Sequence, residues 1–351
     1  MHQTYDIGAS YQENYERGPQ FASGSPAVPL VAHKEFLGLE VGSRVGIAAG
    51  LLLNSGWILG YAQRGFDLLT YKTVRSSYRP CYELPNWVFV EEAVDEPGTY
   101  YLVDGIPGNP AEVSSSVCFG MPSMAPDVWR EDVRRAKEGL ADGQVLLVSV
   151  VATPEEDWTL EMVAADFVQC AAWAKEAGAD VIEANFSCPN VCSSEGSIYL
   201  DAEASGFIAA RIREAIGQTP LLIKTGHFRE SARLDAYLHA LHGVANGVTL
   251  VNCIIGIVLH RDGRPVFGDE FAEAGVLGRA IHDPCVESVR QTAAIIVRDG
   301  LDLRIAAVGG AASQDDIARY FAAGADAVII GSAPRFLPDL AAELKREHPE
   351  W

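Results

Sequence analysis

Residues 304–310 read Arg-Ile-Ala-Ala-Val-Gly-Gly and residues 325–332 read Ala-Asp-Ala-Val-Ile-Ile-Gly-Ser, with an amphipathic stretch at 314–323 between them. Two short apolar runs separated by a helix-period segment predict a parallel strand–helix–strand unit. Working outward, the same alternation repeats along the chain. Strands are predicted at 44–48, 68–71, 145–150, 180–184, 221–223, 248–251, 304–307 and 327–330. Helices are predicted at 55–64, 127–136, 160–177, 204–216, 229–241, 285–299, 314–323 and 337–347. Eight strand-then-helix units in order predict an α/β fold, a closed (β/α)8 TIM barrel. Such a barrel takes about 250 residues, and this chain has 351. The surplus falls in an N-terminal arm, 1–40, and in insertions after strands two and six, at 74–126 and 256–284. The expected organisation is therefore an arm followed by one barrel domain over 41–351. Long connections carrying Pro, Gly and aromatic residues are expected to be lids or binding loops.

Composition narrows the partners. Lys and Arg number 27 against 47 Asp and Glu, a formal charge of −20. Nucleic-acid affinity comes largely from Lys and Arg displacing counterions, so neither nucleic acid nor an anionic membrane is an expected partner. No apolar run approaches the roughly 20 residues of a membrane helix. The start, Met-His-Gln-Thr-Tyr-Asp, lacks the basic and apolar regions of a secretory signal. Seven dispersed cysteines then argue for free thiols in a reducing cytoplasm. Cys188 and Cys192 stand alone as a C-x3-C pair, so no metal is expected; an iron–sulfur cluster needs four ligands.

In a (β/α)8 barrel the active site is built from the C-terminal strand ends. Here those ends carry Ala49-Gly50, Lys72-Thr73, Ser149, Asn185 with Cys188, Lys224-Thr225, Asn252-Cys253, Gly309-Gly310 and Gly331-Ser332. A full ring of small or polar groups is what a large ligand over the mouth requires. The glycines ending strands seven and eight suit a phosphate held by backbone N–H groups; the alternative is tight turns without a ligand. Lys72 and Lys224 each end an apolar run and need an anionic partner. That partner is either a structural carboxylate or a ligand such as a reduced flavin, whose negative charge a nearby cation stabilises.

Residues 183–191 read Glu-Ala-Asn-Phe-Ser-Cys-Pro-Asn-Val. A buried strand runs into a proline-stopped loop that sets a thiol between two carboxamides. Amides fix a polar planar ligand, and a cysteine moves a proton or attacks.

This loop resembles the catalytic loop of dihydroorotate dehydrogenases, which reads Asn-x-Ser-Cys/Ser-Pro-Asn. Further segments resemble the same family, in its order: Ile47-Ala-Ala-Gly50, Tyr71-Lys-Thr-Val74, Ile223-Lys-Thr225, Val251-Asn-Cys253, Ala274-Gly-Val-Leu-Gly278, Val308-Gly-Gly310 and Ile330-Gly-Ser332. The resemblance runs from about residue 40 to the C-terminus. Cys188 and Lys72-Thr73 are similar to the soluble class 1 enzymes, whereas Ala48-Ala49-Gly50 followed by Asn54 is similar to class 2. It implies FMN over the mouth and a role in pyrimidine biosynthesis. Gly275, Gly278, Gly309, Gly310, Gly331 and Ser332 would hold the phosphate and ribityl chain. Ala49, Gly50 and Thr73 would pack on the ring, with Ser149 beside them and Lys224 near its N1/O2 edge. Lys72 would bridge flavin and substrate. Asn185, Asn190 and Asn252, with Cys253 adjacent, would bind the substrate, and Cys188 would be the catalytic base. The resemblance also implies a homodimer, and a soluble electron acceptor or a redox partner subunit.

One position departs from the family. Ser116-Val-Cys-Phe-Gly-Met-Pro-Ser123 matches a stretch in which an Asn three residues before the Gly binds the substrate carboxylate, and Val117 stands there. Losing such a hydrogen bond costs about 1–3 kcal/mol. Ser114, Ser115 or Ser116 could compensate, or the substrate could be a different small cyclic amide or acid. A reading of another class, a flavin-free phosphate-binding isomerase or aldolase barrel, explains the glycines and a strand-end lysine but not the Asn/Cys loop.

Overall fold

The computed structural model describes residues 2–187 and 194–351. Its arm holds α1 (Tyr11–Arg17), opened by a Ser10–Glu13 capping box, and a hairpin of β1 (Lys34–Phe36) and β2 (Leu39–Val41). The hairpin crosses the boundary expected at residue 40. The chain continues through β3 (Val45–Ile47), α2 (Ser55–Ala62), β4 (Leu68–Val74), β5 (Trp87–Glu92), β6 (Thr99–Leu102), β7 (Ser114–Val117), α3 (Pro126–Gly139) and β8 (Val145–Val150). Then come α4 (Leu160–Glu176), β9 (Val181–Asn185), α5 (Ala202–Ile216), β10 (Leu221–Lys224), α6 (Ser231–Leu241) and β11 (Gly247–Leu250). The last elements are β12 (Ile254–Leu259), β13 (Glu273–Gly278), α7 (Arg279–Asp299), β14 (Arg304–Ala307), α8 (Gln314–Ala323), β15 (Ala327–Ile330) and α9 (Leu340–Glu347).

Strands β3, β4, β8, β9, β10, β11, β14 and β15 pair in parallel and close a barrel. These are the eight strands expected from the sequence. Their side chains alternate between two cores, as the period of a strand dictates. Leu68, Val145, Leu147, Val181, Leu222, Ala306 and Ile329 pack in the lumen, and Phe36 and Val41 of the hairpin join them from one end. Leu69, Leu146, Val148, Ile182, Ile223, Val248 and Val328 face outward into the layer of helices. The arm thus contributes a plug to the lumen as well as a cover.

The insertions are not loops. β5, β6, β7, β12 and β13 form a second, five-stranded closed sheet, with β7 antiparallel to both β5 and β13, and β12 parallel to β6. Neither insertion can complete it alone. Two helix starts also differ from expectation. Pro284 reads as a stop, yet α7 begins at Arg279 and carries the proline inside its second turn. Pro338 moves the start of α9 from the expected 337 to Leu340.

Candidate functional site

The strand ends meet around one cavity of about 1050 Å³, a figure that includes space at its open side. Its wall takes Ala48, Ala49 and Gly50 from the end of β3, Lys72 and Thr73 from β4, Asn185 from β9 and Lys224 from β10. Asn252 and Cys253 follow β11, Gly309 and Gly310 follow β14, and Gly331 and Ser332 follow β15. Adjacent residues of a regular strand face opposite ways. Lys72 and Thr73 both reach the cavity because the register of β4 against β8 shifts between Tyr71 and Val74.

The polar floor is a short chain of contacts. Lys224 Nζ lies 2.6 Å from Glu183 Oε1, with side chains only 6% and 3% exposed. The same ammonium donates to Ser149 Oγ at 3.2 Å, and Thr73 Oγ1 donates to Ser149 at 3.0 Å. The anionic partner that a buried lysine needs is therefore a carboxylate of the next strand, while Lys224 itself still faces the cavity. Asn185 Oδ1 accepts from the Ser187 N–H at 3.1 Å, and its Nδ2 lies 3.4 Å from Met121 Sδ. Asn252 Nδ2 donates to the Ser187 carbonyl at 2.6 Å. Both amides are thus oriented by the start of the 183–191 stretch.

The glycine wall is held from behind. Gly310 has φ +66°, a left-handed conformation suited to glycine. The Gly309 carbonyl accepts from the Tyr320 hydroxyl and lies 3.1 Å from His282 Nδ1. His282 is fully buried, with Nε2 3.2 Å from Asp316 Oδ1, an oxygen that Arg279 also approaches at 3.2 Å. Burial holds the imidazole below its ordinary pKa. Asp316 Oδ2 accepts from the Ala312 and Ser313 N–H groups, both at 3.1 Å. The first free N–H groups before α8 are thereby used within the protein. Gly309, Gly310, Gly331 and Ser332 bring backbone to the cavity wall. At Gly50 and Gly331 a Cβ would meet nothing within 4 Å, so bare backbone borders open space there. Such a cradle fits a phosphate and its chain.

The second sheet forms the roof. Trp87, Val117, Phe119, Met121 and Leu277 face the cavity. Tyr5 from the arm packs on Trp87 and Phe119, with ring centroids 5.1 and 6.1 Å away. Arg335 is fully buried, stacks over Trp87 at 4.0 Å, and burial lowers its pKa to about 9. Val117 lines the roof; Ser114 and Ser116 alternate to the other face of the strand, while Ser115 shares the face of Val117 without bordering the cavity. Ser116 donates to the Gly275 carbonyl and Ser114 accepts from the Ala280 N–H, both at 3.0 Å. Ser115 is also absent from the lining, so none of the three replaces an amide at position 117.

Of the residues singled out by sequence, Cys188 and Asn190 lie outside the described residues. Gly275 sits within the roof sheet, paired with Val117, and does not border the cavity. Ser149 lies just beneath it, fully buried. Sequence reasoning missed Glu183, which the period of β9 places on the same face as Asn185, and it missed the supports His282 and Tyr320. Burial pushes the thiol of Cys81 up to about 12, and those of Cys170 and Cys285 up further, so these three are poor nucleophiles. Among the described residues no helix is long and apolar enough to cross a membrane.

A dihydroorotate dehydrogenase family profile matches residues 119–348. The dihydroorotate dehydrogenase of Dictyostelium discoideum is 28% identical over 355 aligned residues, spanning 96% of this chain and 95% of that protein. A dihydroorotate dehydrogenase A (fumarate) of Limosilactobacillus reuteri is 31% identical over 178 residues, covering 49% of this chain and 55% of its own. The catalytic subunit of a dihydroorotate dehydrogenase B (NAD(+)) from Staphylococcus carnosus is 24% identical over 205 residues, covering 58% and 61%.

Proposed function

The chain belongs to the dihydroorotate dehydrogenase family, and from that premise we propose that its cavity oxidises dihydroorotate to orotate and passes the electrons to a soluble acceptor. It is an FMN-dependent oxidoreductase acting on a CH–CH bond. The observation that carries the substrate reading is the convergence of Lys72, Asn185, Lys224 and Asn252 with bare glycine backbone on one cavity.

FMN supplies the two-electron acceptor. The chain's own residues do the remaining work. Backbone N–H groups at 309–310 and 331–332 would hold the phosphate, and Ala49, Gly50 and Thr73 would border the ring. Asn185, Asn190 and Asn252 hold the planar amide edges of the substrate. Lys72 would lie between cofactor and substrate, where its charge would meet the substrate carboxylate in place of an amide at Val117. Cys188 Sγ takes the proton from the carbon adjacent to the one that loses hydride. The apolar roof of Trp87, Val117 and Phe119 excludes water from that transfer. The relatives are named for fumarate and for NAD(+). We favour a small soluble acceptor, a cytoplasmic setting and a homodimer.

The test is an anaerobic titration of the purified protein with dihydroorotate, following the visible flavin band. Prompt bleaching supports the reading. A yellow protein that does not bleach refutes the substrate, and a colourless one that cannot be loaded with FMN refutes the cofactor site.

A further inference from the structure

We infer that Glu183 is a positioning residue that sets the effective charge of Lys224, and through it the reduction potential of the bound flavin. The inference rests on the proposed function, because it needs FMN in the cavity. Lys224 borders the cavity and Glu183 does not, so the carboxylate stands behind the ammonium as seen from the ligand. The two groups are 2.6 Å apart and almost without solvent. What the cofactor meets is therefore a dipole with its positive end forward, not a free cation. Ser149 takes a second hydrogen bond from the ammonium and is tied in turn to Thr73, which also borders the cavity. These contacts fix the direction in which Nζ points.

The consequence follows from charge alone. A cation beside a flavin stabilises its reduced, negatively charged form. A carboxylate directly behind that cation cancels most of its field, and little water is present to do so instead. With the pair intact, reduction is favoured modestly and the flavin can still be reoxidised. Glu183→Gln keeps the shape and an oxygen that accepts from Nζ, while it removes the cancelling charge. The net charge of the Lys224–Glu183 pair then rises from zero to one.

The experiment is a dye-equilibrium measurement of the two-electron potential of FMN-loaded protein, with a chemical reductant so that no substrate enters. Glu183→Gln should raise the potential by about 30 mV or more, a tenfold shift in the two-electron equilibrium. A merely structural role for Glu183 would leave the potential unchanged, and an unchanged or lowered value overturns the inference. If Glu183→Gln does not hold FMN, Glu183→Asp is measured in its place: it keeps the charge but draws it back from Nζ, so the cancellation weakens and the potential should rise above the wild-type value by less than a tenfold shift in the equilibrium. An unchanged or lowered potential in Glu183→Asp overturns the inference as well. A wild-type protein that binds no FMN refutes the cofactor site, and one that dihydroorotate does not bleach refutes the proposed substrate. Both outcomes are distinct from a normal wild type whose potential Glu183→Gln fails to move.

Discussion

Gly310→Ala tests the glycine cradle directly. Gly310 sits at φ +66°, where a side chain costs roughly 1–2 kcal/mol. The new Cβ would stand 2.9 Å from His282 Cβ and 3.0 Å from the Gly278 carbonyl carbon. Ordinary carbon–carbon contacts lie at about 3.5–4.0 Å. The turn must therefore move by roughly 0.5–1 Å, away from the start of α7 and toward the cavity. His282 and Gly278 cannot yield easily, since one is buried and tied to the Gly309 carbonyl and the other ends β13 against β7. A shift of that size loses at least one backbone hydrogen bond to a charged phosphate, worth about 1.5–3 kcal/mol. FMN affinity should fall by roughly 10- to 100-fold, read by quenching of flavin fluorescence as apoprotein is titrated. Gly243→Ala is the control. It has φ +75° and nothing within 4 Å of its Cβ, so it carries the backbone strain without the collision. It should lower the melting temperature and leave FMN affinity unchanged. Gly310→Ala binding FMN within twofold of the wild type would refute the cradle.

Three further outcomes are expected. Cys188→Ala should slow flavin reduction by dihydroorotate roughly 10²–10⁴-fold while FMN stays bound; unchanged stopped-flow kinetics would remove the thiol from the base role. Tyr320→Phe deletes one of the two hydrogen-bonding contacts on the Gly309 carbonyl. It should cost about 0.5–1.5 kcal/mol in urea unfolding of the apoprotein and speed FMN release, whereas a neutral result would mean that His282 alone holds the turn. His282 has a folded pKa below its unfolded value near 6.5, and the cause is burial. The unfolded state then binds more protons below that pH, so this contribution to stability is full above about 6.5 and is lost as pH falls from there toward the folded value. The slope of stability against pH below 6.5 should flatten in His282→Asn, with the remaining slope coming from groups such as His227, which burial lowers likewise. An identical slope in both proteins would contradict a buried neutral imidazole.

The barrel was legible because its physics is local. Each strand is an apolar run of fixed length, each helix an amphipathic period, and their order alone implies closure. Strand ends could be read in the same way, which is why Lys72, Asn185, Lys224, Asn252 and the paired glycines converge on one cavity. Glu183 was legible too, since two residues before an inward Asn185 is another inward position. A strand-end lysine has two candidate partners, a ligand and a carboxylate of a neighbouring strand, and the spacing of residues does not rank them. The hairpin at 34–41 left a fainter trace, with charged and apolar residues alternating around Gly38. In the roof, β5 and β12 have strand composition, but their closure with β7 and β13 left no local trace. Ser114–Val117 has the composition of a turn, and its ladder partner in β13 lies roughly 160 residues away. No local period records a pairing at that distance.

The roof also bears on position 117, where the family pattern leads one to expect an Asn. Val117 does not hang on a mobile loop. It is a rung of a closed sheet, flanked by Trp87 on one side and Gly275 on the other. A polar side chain there would face Trp87, Phe119 and Leu277, and would need a ligand atom to satisfy it. A valine needs none, and it keeps the roof apolar from Trp87 across to Met121. On the proposed function, recognition of a charged substrate would fall to the barrel side, where Lys72, Asn185 and Asn252 border the cavity. An apolar roof over a polar floor would then sort the proposed substrate by orientation, its amide edges and charge toward the strand ends. The same asymmetry makes the charge beneath the cofactor matter, because a dry roof leaves the Lys224–Glu183 pair little competition from solvent.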